Sequence, residues 1–107
     1  MKKDDSIYID DIINAMKKII LYCENMKEKE FYNDEKTQDA IIRKLEIIGE
    51  ASKNISSEYK NIHNQIPWKS MAGMSDKMIH DYAGVDLIAV WETIKILPNL
   101  IKDLKTI

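Results

Sequence analysis

The sequence predicts an all-α protein, an antiparallel bundle of four main helices within a single domain over residues 1–107. The chain contains only 3 glycines and 2 prolines, too few for the many turns of an all-β protein. Apolar residues make up 45% of the chain, and over most of its length they recur at spacings of three and four. A chain of this size can bury a core of its own.

The first predicted helix begins at the capping residues 4–6 and ends near residue 26. Residues 27–33 are charged and break the apolar pattern, and we therefore expect a connection there. The buried stripe of the first helix is expected to comprise Ile9, Ile12, Ile13, Met16, Ile19, Ile20 and Cys23.

The second predicted helix covers residues 34–55 and has Gly49 in its interior. A glycine there costs up to about 1 kcal/mol relative to alanine. We expect a close helix crossing at Gly49, because glycine lets another backbone approach. Residues 56–58 are expected to cap a short turn, and residues 61–67 to form a loop. The inner face of the second helix is expected to comprise Ile41, Leu45, Ile48, Ala51 and Ile55.

Two further helices complete the predicted bundle. One begins at Trp68, runs to about Tyr82 and is ended by Gly84. The last covers residues 87–107 after a cap at Asp86, and Pro98 within it should produce a kink. Its inner face is expected to comprise Val90, Ile94, Leu97, Leu100, Ile101 and Leu104.

The net charge and the cysteine content limit the classes of function that this chain can have. A net charge of −2 argues against a protein that coats nucleic acid by bulk attraction, but it leaves room for a local RNA site. Cys23 is the only cysteine, so no intramolecular disulfide can form. The chain lacks a signal peptide pattern and any run of about 18 apolar residues, so we expect a cytoplasmic protein without a membrane span.

Residues 74–82 carry side chains suited to acid–base chemistry. Asp76 and His80 are four positions apart and therefore share a helix face. A neighbouring carboxylate can fix the tautomer of an imidazole and favour its protonated form. Tyr82, near the helix end, could turn its hydroxyl towards the same cleft. Spacing alone does not establish a site, because most such pairs are structural or solvated contacts.

A charged line follows one face of the second helix, formed by Arg43, Glu46 and Glu50. A solvated face with local ion pairs is the usual meaning, and a border of a functional cleft is the other interpretation. No histidine or cysteine spacing supports a metal site, and we expect neither a metal nor a cofactor.

Several segments resemble the HepT-like family of HEPN helical bundles. The resemblance runs in the same order from about residue 7 to the end of the chain. It is carried by residues 8–12 (YIDDI), 36–51 (KTQDAIIRKLEIIGEA), 66–68 (IPW), 71–74 (MAGM), 80–86 (HDYAGVD) and 90–91 (VW).

The resemblance implies a homodimer with a metal-independent RNA-cleaving site in the cleft between subunits, and transfer RNA is one candidate substrate. It also implies a toxin that is neutralised by a nucleotidyltransferase of the MNT type, which transfers AMP to a tyrosine. The family signature is Arg, four residues, His, any residue, Tyr. His80 matches the histidine as the catalytic acid or base, aided by Asp76, and Tyr82 matches the AMP acceptor.

The signature places its arginine at position 75, where this chain has Ser75. An arginine would stabilise charge on the phosphate, and losing one such donor costs on the order of 10²–10³ in rate. Ser75 could be an engineered change, a natural loss of catalysis, or a change offset by another cation such as Arg43. We therefore predict a ribonuclease toxin with reduced or abolished cleavage. The alternatives are an inactive subunit that only binds a nucleotidyltransferase, and a helical dimerisation protein without a site.

Overall fold

The computed structural model describes residues 4–79 and 86–107, and it describes residues 77–79 by their helical backbone alone. Helices and no strands occur in this part of the chain, which confirms the predicted all-α class. None of the described helices is both long and apolar enough to cross a membrane. The helices are α1 (Asp5–Tyr22), α2 (Glu28–Tyr32), α3 (Glu35–Asn54), α4 (Ser57–Ile62), α5 (Trp68–Ile79) and α6 (Leu87–Leu104).

Helix α1 begins where predicted, because the Asp4 carboxylate accepts a hydrogen bond of 3.0 Å from the backbone N–H of Ser6. It ends earlier than predicted, and Asn25 takes a left-handed φ of 61° in the turn that follows. Asparagine adopts this conformation more readily than most residues. The side chains that α1 buries are Ile9, Ile12, Ala15, Met16 and Ile19.

Residues 27–33 contain the short helix α2, so the prediction of a plain connection there was wrong. The Glu30 carboxylate accepts a hydrogen bond from the Lys27 N–H at 3.2 Å and caps this helix. Phe31 is fully buried, and its ring centroid lies 5.3 Å from that of Trp91. A single apolar anchor within a charged segment creates no periodicity, which is why the sequence pattern did not indicate a helix.

Helix α3 is the centre of the bundle, since it packs against α1, α2 and α5. The Asp34 carboxylate caps it by accepting a hydrogen bond of 3.0 Å from the Thr37 N–H. Its predicted inner face is confirmed, because all of the following are buried: Ile41, Leu45, Ile48, Ala51 and Ile55.

Helix α4 replaces the short turn predicted after α3. The Ser56 hydroxyl accepts a hydrogen bond from the Tyr59 N–H at 3.1 Å and donates one to the Asp5 carboxylate at 2.7 Å. This contact ties the start of α4 to the start of α1. Trp68, at the start of α5, is buried, and its indole N–H donates to the carbonyl of His63 at 2.9 Å.

Helix α6 packs against α1 and α2. Its predicted cap is confirmed, since the Asp86 carboxylate accepts a hydrogen bond of 3.1 Å from the Ala89 N–H. Pro98 lies within the helix, and the kink expected there stays a prediction. The helix ends at Leu104, whereas the sequence pattern continued to residue 107. All six predicted core positions are buried: Val90, Ile94, Leu97, Leu100, Ile101 and Leu104.

Candidate active site at the crossing of α3 and α5

The residues proposed from the sequence for catalysis lie on α5 and directly after it. Ser75 and Asp76 lie near the end of α5 and are described with their side chains. His80 and Tyr82 lie outside the described residues, as does the helix end predicted at Gly84. The catalytic role of His80 and the acceptor role of Tyr82 therefore stay predictions.

Gly49 and Ser75 form the contact point of α3 and α5. A Cβ atom built on Gly49 would lie 2.5 Å from the N, Cβ and Oγ atoms of Ser75, which is closer than real Cβ atoms approach. The close helix crossing expected at Gly49 is thus confirmed, and its partner is the backbone of α5. Any side chain at position 49 would push the two helices apart.

Ser75 is enclosed by this crossing. The residue is 0% exposed, and its hydroxyl donates to the carbonyl of Ala72 at 3.2 Å. A buried hydroxyl already engaged with its own helix offers a substrate neither a charge nor an accessible donor. Ser75 therefore contributes neither a charge nor an exposed donor at the crossing of α3 and α5.

Asp76 projects from the crossing towards solvent and meets a lysine of α3. The Lys53 ammonium donates to Asp76 Oδ1 at 2.7 Å, and it lies 3.6 Å from Glu50 Oε1. The side chains of Lys53 and Asp76 are 39% and 58% exposed. The hydrogen bond to Asp76 is the main cause that raises the pKa of Lys53, so this ammonium stays charged at neutral pH.

Lys53 is the residue at this site that the sequence reasoning missed. The sequence contained one indication of its position, because Lys53 follows Gly49 by one helical turn and so lies on the face of α3 that meets α5. The crossing at Gly49 was expected, but the partner helix was not identified from the sequence. Without the partner, nothing distinguished Lys53 from the other surface lysines.

The residues of the charged line on α3 make contacts at two different places. Arg43 is 68% exposed in its side chain and bonds to Glu46 at 3.2 Å, an ordinary surface ion pair. Arg43 and Glu50 also line a shallow groove of about 250 Å³ between α1 and α3, together with Tyr8 and Asn54. Glu50 in addition approaches Lys53, so the line borders the α3–α5 crossing at its Glu50 end.

Metal-ligating groups do not converge in the parts of the chain that the structure describes. No cluster of three or more His, Cys, Asp or Glu side chains there could hold a metal ion. Cys23 is half-buried, and burial raises the pKa of its thiol. A neutral, partly buried thiol packs as a small apolar group and reacts slowly.

The described residues thus form an all-helical bundle in which a surface ion pair between Lys53 and Asp76 lies beside the close contact of Gly49 with Ser75. The family model described as "Ribonuclease HepT-like" matches residues 12–107, and the chain belongs to this family. The resemblance noted in the sequence is thereby confirmed.

Three relatives illustrate the similarity. A probable ribonuclease HepT of Thermococcus cleftensis is 47% identical over 95 residues, which cover 89% of this chain and 86% of the relative. A putative RNase of Methanocaldococcus jannaschii is 44% identical over 107 residues, which cover 99% of this chain and 88% of the relative. A putative RNase of Caldanaerobacter subterraneus is 41% identical over 101 residues, which cover 94% of this chain and 90% of the relative. No solved structure matches the chain.

Proposed function

We propose that this chain is the ribonuclease toxin of a toxin–antitoxin pair and that it cleaves RNA without a metal ion at a cleft between two copies of itself. The observation that carries the proposal is the membership of residues 12–107 in the HepT-like ribonuclease family. Relatives named as ribonucleases, at 41–47% identity, support the same activity. Transfer RNA is one candidate substrate.

The proposed chemistry is attack of a ribose 2′-oxygen on the adjacent phosphorus. His80 accepts the proton of the 2′-hydroxyl or supplies the proton taken up by the departing 5′-oxygen. Asp76 precedes His80 by four residues, so on a continued helix its carboxylate would orient the imidazole. The hydrogen bond from Lys53 supports this role, because it holds the Asp76 carboxylate at the surface of α5.

Ser75 lowers the rate of this reaction. The phosphate gains negative charge during the attack, and a cation is required to stabilise it. Ser75 is neutral and buried, so it supplies no such group. We expect cleavage slower by on the order of 10²–10³ than with an arginine at this position.

The two histidines of the chain provide a matched test of cleavage. His80→Ala should lower the rate of RNA cleavage by on the order of 10²–10⁴, the usual contribution of an acid–base catalyst. His63→Ala is the control, since His63 ends α4 and packs beside Tyr59, and it should cleave at the unchanged rate. Cleavage by His80→Ala at the rate of the unchanged protein would contradict the proposed site.

Neutralisation is proposed to occur at Tyr82 through a nucleotidyltransferase of the MNT type. The tyrosine oxygen bonds to the α-phosphorus of ATP, and pyrophosphate leaves. Incubation with ATP and the transferase should add the mass of one adenylyl group to the chain, as read by mass spectrometry. Tyr82→Phe should prevent the addition, whereas Tyr32→Phe, which loses only a hydroxyl bonded to Glu28, should not. Adenylylation of Tyr82→Phe to the same extent would refute Tyr82 as the acceptor.

A second candidate function is a subunit that binds the nucleotidyltransferase but does not cleave RNA. The observation that favours it is the enclosed Ser75, whose hydroxyl is already engaged with Ala72. A protein that co-purifies with the transferase and stays inactive after Ser75→Arg would support this candidate. Cleavage that depends on His80 would exclude it.

A further inference from the structure

The ion pair between Lys53 and Asp76 joins α3 to α5 directly beside the enclosed Ser75. Its 2.7 Å separation is the short distance typical of a charge-assisted hydrogen bond. The close contact of Gly49 with Ser75 brings the two helices near enough for the lysine to reach across. A fixed positive charge is therefore built next to the position where the family signature has its arginine.

The ammonium group of Lys53 can still bind an anion. A lysine has three N–H donors, and the Asp76 carboxylate takes one of them at hydrogen-bond distance. The Glu50 carboxylate lies at 3.6 Å, an ion-pair distance beyond a hydrogen bond. With 39% of its side chain exposed, Lys53 can direct its remaining donors towards solvent.

We propose that Lys53 is a phosphate-contacting residue of the RNA site, where it supplies a positive charge beside the neutral Ser75 but, because it is paired with Asp76, stabilises the phosphate less than an arginine at position 75 would. The inference rests on the proposed function, because it assigns a substrate contact within that same site. Arg43 is a weaker candidate for this role, since it pairs with Glu46 within α3 and lines the groove beside α1 rather than the contact with α5. Lys53 instead contacts α5 itself, the helix that leads to His80.

Binding of an RNA analogue tests the contact without requiring cleavage. A fluorescent oligoribonucleotide with 2′-O-methyl groups lacks the attacking hydroxyl, and its affinity can be measured by anisotropy over a range of salt concentrations. Lys53→Met should weaken binding. It should also reduce the magnitude of the negative slope of log K against log salt by about one, as expected for the loss of one phosphate contact. Lys53→Arg should retain both the affinity and the slope.

Lys95 provides the matched control. It is also an exposed lysine in a surface ion pair, 3.4 Å from Glu92 on α6. Lys95→Met should bind the analogue with the affinity and slope of the unchanged protein. An unchanged slope in Lys53→Met overturns the inference, and so does the absence of binding by the unchanged protein.

Cleavage of unmodified RNA separates this inference from the proposed function. Lys53→Met should cleave on the order of 10² more slowly, and adding Ser75→Arg to it should restore cleavage. A reduced salt slope in Lys53→Met, combined with no cleavage by any variant, supports the phosphate contact and refutes the ribonuclease function. Rapid cleavage by Lys53→Met with an unchanged salt slope overturns the contact and leaves the function standing.

Discussion

Gly49 of α3 lies so close to Ser75 of α5 that a Cβ atom on Gly49 would stand 2.5 Å from the backbone nitrogen of Ser75. The contact fixes how α5 lies across α3, because a small shift of either helix would open or overfill it. Asp76 follows Ser75 directly and receives the hydrogen bond of Lys53. The geometry of the candidate site thus depends on one glycine.

Gly49→Ala should destabilise the protein. The added methyl group must move α5, and overpacking of this kind costs about 1–3 kcal/mol. The higher helix propensity of alanine offsets up to about 1 kcal/mol of that loss. The free energy of unfolding in urea measures the balance.

Gly73→Ala is the matched control on α5. A Cβ atom at Gly73 would meet no other atom within 4 Å, so only the propensity gain of up to about 1 kcal/mol remains. Gly73→Ala should therefore be as stable as the unchanged protein or more so. Equal stability of the two alanine variants would show that the crossing tolerates a side chain.

Phe31→Ala should be among the most destabilising single changes in the described residues. Phe31 is fully buried and contacts the ring of Trp91, so truncation leaves a cavity and costs about 3–5 kcal/mol. Leu21→Ala is the control, because Leu21 is 63% exposed and should change stability by less than about 0.5 kcal/mol. Thermal and urea unfolding measure both, and a small loss for Phe31→Ala would mean that α2 is not anchored to the core.

The sequence predicted correctly the helices whose apolar residues recur at a regular spacing. The inner faces of α3 and α6 agree with the structure, because several residues in register point to the same helix face, and so does the cap predicted at Asp86. The single Phe31 could not reveal α2, because one buried residue has no period. Lys53 likewise could not be singled out from the sequence, because its role depends on its contact with Asp76 of α5. Since α5 is distant in sequence, that contact is known only from the folded structure.

Acid should weaken the cap of α3. The backbone N–H of Thr37, and then its hydroxyl, lower the pKa of Asp34 below its ordinary value of 3.8. The unfolded chain therefore binds this proton more readily, and the stabilisation is present above that ordinary pKa and is lost as the pH falls through the lowered folded value.

Asp34→Asn keeps an oxygen that can cap the helix but removes the titration. Its stability should consequently decline less steeply than that of the unchanged protein as the pH falls below 3.8. Urea midpoints recorded over a series of acid pH values provide the comparison. Parallel declines for the two proteins would mean that the Asp34 cap does not contribute to acid sensitivity.

Asp76→Asn should separate RNA binding from RNA cleavage. Removing the carboxylate that engages Lys53 takes a negative charge away from the proposed phosphate contact, so the 2′-O-methyl analogue should bind more tightly. Cleavage should become slower, because His80 loses the carboxylate proposed to orient it. Anisotropy and single-turnover cleavage measure the two effects, and a change of both in the same direction would contradict the assigned roles.

Ser75→Arg should add the missing charge at some cost in stability. The position is 0% exposed, so the long side chain must extend past α3 to reach solvent with its guanidinium group. Overpacking at this point should lower the free energy of unfolding by about 1–3 kcal/mol. Circular dichroism and urea unfolding identify the temperature at which the variant is folded, and Ser75→Lys provides a smaller cation for the same test.

The rate of RNA cleavage by folded Ser75→Arg, compared with the unchanged protein and with Ser75→Arg/His80→Ala, is the most direct measurement. We expect Ser75→Arg to cleave faster than the unchanged protein by on the order of 10²–10³, and the added His80→Ala change to abolish the gain. A folded Ser75→Arg protein that cleaves RNA no faster than the unchanged chain would contradict an RNA-cleaving site at the end of α5.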